Sequence, residues 1–180
     1  MLAAVLLAAL AMAMIVPHSK AAAGESLEVA VKAAYLYRFG DFVRWPPATF
    51  AKAASALNLC VTGKMPPARS FGAILAGKHV GGRPLVVRRL ATVTRASDCQ
   101  ILYIAGADRQ RIAAILAVVE GAGVLTVTDV LDAGTMASVI SFVIQDDHVR
   151  FAINARAAAR NRLVISSKLL SLALAVSDRK

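Results

Sequence analysis

Acidic residues are scarce in this chain: 11 Asp and Glu stand against 21 Lys and Arg in 180 residues, a formal charge of +10. Charge of either sign is sparse too, at 18%, while 58% of residues are apolar, which excludes an intrinsically disordered chain. Cysteine is limited to Cys60 and Cys99, and histidine to His18, His79 and His148. No HxH, HExxH or Cys/His spacing arises from so few ligands, so the sequence offers no metal centre. A GxSxG elbow is also missing, and with it a common nucleophile arrangement. His79, before the Gly81-Gly82 turn, and His148, at the start of a hairpin strand, read as turn or surface residues. No internal repeat, low-complexity linker or second composition divides the chain, and its length suits one domain.

What is present begins with MLAAVLLAALAMAMIV, an apolar run from Met1 to Val16. Sixteen residues fall short of the roughly 20 that cross a bilayer. The run reads as an export signal covering 1–23, with Ala21-Ala22-Ala23 supplying the small residues before cleavage and a mature domain over 24–180. Losing Lys20 with the leader leaves 20 basic residues against 11 acidic ones, a mature charge of +9. In a compartment without chromosomal DNA that charge favours anionic ligands, head groups or an acidic protein over nucleic acid, and no membrane anchor is expected after cleavage. An even cysteine count in an exported chain predicts one disulfide, Cys60 to Cys99.

From Leu27 a helical repeat places Val31, Ala34, Tyr35, Phe39, Phe42 and Trp45 on one face, with Lys32, Asp41 and Arg44 outside it, and Pro46 stops the helix. Strands follow at LNLCVTG (Leu57 to Gly63), RPLVVRRL, CQILYIAG and VLTVTD (Val124 to Asp129). The helix PPARSFGAILAGK lies between the first two strands, and DRQRIAAILAVVEG, capped by Asp108, between the last two. Gly121-Ala-Gly123 comes after a helix and before a strand, the reverse of a dinucleotide fingerprint, and reads as a tight turn. VISFVIQ and HVRFAIN flank Asp146-Asp147 as a two-residue hairpin, and a long final helix is expected from the cap Asn154 to about Val176. The fold class is therefore α/β, a mixed, largely parallel sheet flanked by helices, closed by a hairpin and that helix.

Two groups of residues stand out from this frame. Arg156, Arg160 and Arg162 crowd the first turns of the expected final helix, where the dipole favours anions, and mark a candidate anion or acidic-partner site. Arg38 falls within the apolar arc, so it must reach past its aromatic neighbours or pair, with Asp41 the nearest carboxylate. With Trp45 at the helix end it forms a candidate partner margin.

The segments KAAYLYRFGDFVRWP, LCVTG, CQILYIA, VLTVTD, RFAIN and LVISSKLLSLA, in this order, resemble the YfiR family of small bacterial periplasmic proteins over about Val29 to Val176. The resemblance implies a non-enzymatic regulator that binds the periplasmic sensor region of an inner-membrane diguanylate cyclase and keeps cyclic-di-GMP low. It also implies capture by an outer-membrane, peptidoglycan-associated lipoprotein under envelope stress, and a disulfide-bonded homodimer. Cys60 and Cys99 fall where a family disulfide is expected; a second pair near the hairpin has no counterpart here, since 137–154 contains no cysteine. Members also occur beside histidine kinases and outer-membrane receptors. The competing reading is a periplasmic small-ligand binder using the crevice at the strand ends of a parallel sheet. No cofactor is implied.

Overall fold

The computed structural model describes residues 19–52, 54–64, 68–129 and 137–177. Most of the expected leader lies outside them, and the expected cleavage point after Ala23 falls inside the first helix. Helix α1 (Ser19–Asp41) leads into the short strand β1 (Val43–Arg44), then β2 (Leu57–Gly63) and α2 (Ala68–Leu75). Strands β3 (His79–Val80), β4 (Arg83–Arg89) and β5 (Ile101–Ala105) follow, then α3 (Arg109–Val119) and β6 (Leu125–Thr128). The chain continues through β7 (Ile140–Gln145), β8 (His148–Asn154), α4 (Ala155–Arg160), β9 (Val164–Ile165), α5 (Ser167–Leu172) and β10 (Ala175–Ser177).

Eight strands form one sheet in the order β10-β8-β7-β6-β5-β2-β4-β3, parallel except at β8/β7 and β4/β3. Strand alternation divides the core between its two faces. Leu59, Val61, Ile101, Tyr103, Leu125, Val127 and Phe142 pack toward Ala33, Leu36 and Phe39 of α1 and Phe71 and Leu75 of α2. Cys60, Leu102 and Ile104 pack on the opposite side with Ile112 and Val119 of α3. The hairpin forms at Asp146-Asp147, with φ of 50° and 58°, the left-handed pair that a two-residue turn requires.

Three expectations need correction. Helix α1 ends at Asp41, before Trp45, because Val43 and Arg44 leave it to pair with Ile165 and Val164, and Ser166 N–H donates to Phe42 O at 2.9 Å. Its buried side is also rotated: Val29, Lys32, Ala33, Leu36 and Phe39 are buried, Ala34 is exposed and Tyr35 half-buried. Small Ala33 lets the helix approach the sheet, and the methylene stem of Lys32 buries as an apolar residue would.

The long final helix is replaced by two short ones. Asn154 caps α4 as expected, its Oδ1 accepting from Ala157 N at 2.9 Å. Arg162 then turns left-handed (φ 57°), with Arg162 N–H donating to Ala159 O and Leu163 N–H to Ala158 O, a Schellman stop that buries Leu163. Val164-Ile165, β-branched, pair with β1. Ser166 restarts α5 by accepting from Leu169 N, and β10 then lies parallel to β8.

Candidate functional site

At the carboxyl ends of β5 and β6, where parallel α/β sheets present their functional groups, four polar side chains meet in a largely apolar setting. Asp129 directly follows β6; its carboxylate accepts the Tyr103 hydroxyl at 2.7 and 2.8 Å and lies 2.9 Å from Lys32 Nζ. Glu28, one helical turn before Lys32, completes the ion pair from α1, and the ammonium sits 5.9 Å from the centre of the Phe142 ring. Lys32 is only 9% exposed. Burial pulls its pKa down, but the hydrogen bonds and charges of Glu28 and Asp129 outweigh that, so the pKa lies above its ordinary value. Burial and the Asp129 carboxylate hold Tyr103 firmly protonated, with a strongly raised pKa. Tyr103 also stacks on Phe71, so the cluster joins α1, α2 and two central strands.

Sequence reasoning missed this cluster because Lys32 was assigned to the outer face. The signals available were the Glu28/Lys32 spacing of four and a carboxylate at the end of a parallel strand. The chemistry is that of a clamp: one ammonium bridges two carboxylates, and the Tyr103 hydroxyl donates to one of them. Among the described residues no group of three or more His, Cys, Asp or Glu side chains is arranged to hold a metal ion.

The arginines have a different centre from the one expected. Arg160 Nε lies 2.6 Å from Glu120 Oε1, Arg162 Nη2 donates to Gly121 O at 2.6 Å and Arg95 Nη2 to Glu120 O at 2.6 Å. All three gather at the carboxyl end of α3, the negative pole of that helix. Arg156 is exposed on α4, one helical turn before Arg160.

Arg38 is exposed, 3.6 Å from Asp41 Oδ2, with its guanidinium 4.9 Å from the Tyr37 ring centre. Trp45 is half-buried against Phe50, and its Nε1 donates to Gln100 O at 3.3 Å. It is thereby tied to the amino end of β5, where Asn58, Asp98 and Gln100 exchange hydrogen bonds. Arg38 and Trp45 are thus anchored to different neighbours. Next to Gln100, Cys99 is bonded to Cys60, the α-carbons 5.7 Å apart. The bridge fits an oxidising compartment. Among the described residues no helix is long and apolar enough to cross a membrane.

A family model described as YfiR/HmsC-like matches residues 29–174, and the chain belongs to that family. No curated protein matches it.

Proposed function

We propose that this member of the YfiR/HmsC-like family is a non-enzymatic regulator of the bacterial periplasm that restrains an inner-membrane diguanylate cyclase by binding its periplasmic sensor region. The family match from residue 29 to residue 174 is the observation that carries this reading, since it spans nearly all the described fold. The disulfide suits the compartment. A buried ion-pair clamp and a cross-linked sheet make a rigid body suited to stoichiometric binding. Such a protein acts by preferring one state of its partner. Moving a two-state partner from 1:99 to 99:1 takes a preference of about 10⁴-fold.

The surfaces assigned to the partner are the exposed Arg38, the half-buried Trp45, and the arginines Arg156, Arg160 and Arg162. Capture by a peptidoglycan-associated lipoprotein and homodimerisation complete the proposal. Deleting the gene is expected to raise cellular cyclic-di-GMP, with rescue by the intact gene but not by Arg38→Ala, which should keep its melting temperature while losing the cyclase in pull-down. Unchanged cyclic-di-GMP in a deletion strain with the cyclase intact would sink the reading.

A further inference from the structure

We infer that the outer edge of β4 is a docking site for an acidic, extended segment of another protein, which pairs with it as an added strand. The stretch from residue 42 to residue 97 contributes β2, α2, β3 and β4, and so builds the sheet out to this edge. It holds nine Lys and Arg and no Asp or Glu, against a net charge of +10 for the whole chain. The excess positive charge is therefore concentrated in the part of the chain that forms the edge.

The backbone there is open. On its inner side β4 pairs with β2 from Leu85 to Arg89, and Leu90 N–H donates to Val61 O at 2.9 Å. Because the bonds of a parallel ladder alternate along the strand, Val86 and Arg88 direct their peptide groups inward, while Leu85 and Val87 direct theirs outward. Strand β3 covers only the start of that outer side: it pairs with Arg83 and Pro84, and Lys78 O accepts the Leu85 N–H at 2.9 Å. Past Leu85 no strand of the described residues lies against β4. Val87 thus offers one N–H and one C=O to an incoming strand, the usual basis of strand addition.

The side chains select the occupant. Val86 is 40% exposed and Val87 half-buried, so apolar residues opposite them would complete their burial. Arg88 comes next, its Nη1 donating to the neutral Ser97 carbonyl at 2.7 Å, and Arg89 is exposed after it. Carboxylates opposite these two positions would face cations. A second copy of this edge would instead bring the same arginines and the same acid-free stretch against them, and like charges repel. Running antiparallel, the fitting segment reads acidic, acidic, apolar, apolar, opposite Arg89, Arg88, Val87 and Val86 in turn. The inference stands independently of the cyclase reading.

The test uses two-dimensional amide NMR on the disulfide-bonded protein with the peptide acetyl-Thr-Glu-Glu-Val-Val-Thr-amide. Its control is the same peptide methylated on the backbone nitrogen of the first valine, the residue opposite Val87, which loses the donor to Val87 O and keeps every charge. The parent peptide is expected to shift the signals of Val86, Val87 and Arg88 saturably at millimolar concentration, and the methylated one to bind at least about tenfold more weakly. A version with Lys-Lys in place of Glu-Glu should not bind. Val87→Pro removes the outward N–H while leaving the inward bonds to β2, as edge strands tolerate, and should abolish the shifts; if that variant melts early, the methylated peptide on the unaltered chain decides. Equal binding of parent and methylated peptides would reduce the edge to a general anion attractor. That result, equal binding of the Lys-Lys version, no saturable shift up to the solubility limit, or a peptide-free dimer with its contacts at β4 would each overturn the inference.

Discussion

Single residues carry unusual weight where backbone meets backbone. Gly63 ends β2 at φ +95°, and a β-carbon there would lie 2.0 Å from the carbonyl oxygen of Ala105. The same oxygen accepts from Lys64 N–H at 2.9 Å, so it cannot withdraw without breaking the β2/β5 seam. Gly63→Ala is therefore expected to cost at least about 3 kcal/mol, read as a loss of urea midpoint at unchanged slope.

Lys32 is the second such residue. Lys32→Met leaves the Asp129 and Glu28 carboxylates without their cation and should cost about 2 kcal/mol. That is less than the ~3–5 kcal/mol of fully buried pairs, since their side chains keep 24% and 42% of their access to water.

The cluster also sets a pH limit. Both Lys32 and Tyr103 have pKa values raised by folding, so the stability they contribute is complete below their ordinary values near 10 and is lost as pH rises through the folded ones. The melting temperature should fall above about pH 10, and less steeply in Tyr103→Phe. An identical slope in that variant would rule Tyr103 out as a cause.

At the scale of elements, local chemistry was legible and long-range pairing was not. The caps Asp108 and Asn154, the strand LNLCVTG and the Asp146-Asp147 hairpin appear where the sequence places them, because each depends on neighbours a few residues away. The β1/β9 pair joins residues more than a hundred positions apart, and β10 depends on the edge of β8, so neither leaves a local pattern. The early end of α1 has this origin, whereas α4 is stopped locally by the hydrogen bonds around Arg162. The left-handed Arg162 in particular gives no warning, since glycine is the usual residue there.

The candidate sites divide in the same way. The disulfide could be read from cysteine count and context, whereas the Lys32 clamp required knowing which face of α1 is turned inward. The hairpin offers a check on the element itself: replacing Asp146-Asp147 by Asn-Gly should stabilise by about 0.5–1 kcal/mol, because both positions already hold the positive φ which that dipeptide prefers. A lower melting temperature would mean that the aspartates do more than turn the chain.

For the whole molecule, the cross-link is the largest single contribution that can be removed cleanly. Cys60 and Cys99 are 39 residues apart, and closing such a loop restricts the unfolded chain by about 4 kcal/mol in the entropy model. The double variant Cys60→Ser, Cys99→Ser should melt about 10 °C lower while keeping its far-ultraviolet dichroism, since β2 and β5 stay joined by their own ladder. Collapse of the dichroism would mean the sheet cannot hold without the bond.

That bond also turns the stretch from 60 to 99 into a covalent ring. Arg95 lies exposed inside it, at the kind of site where a trypsin-like protease cuts. A nick there would sever the thread without parting the pieces: one band before reductant, two after. Clearing such a protein from the envelope would then require a reductant as well as a blade.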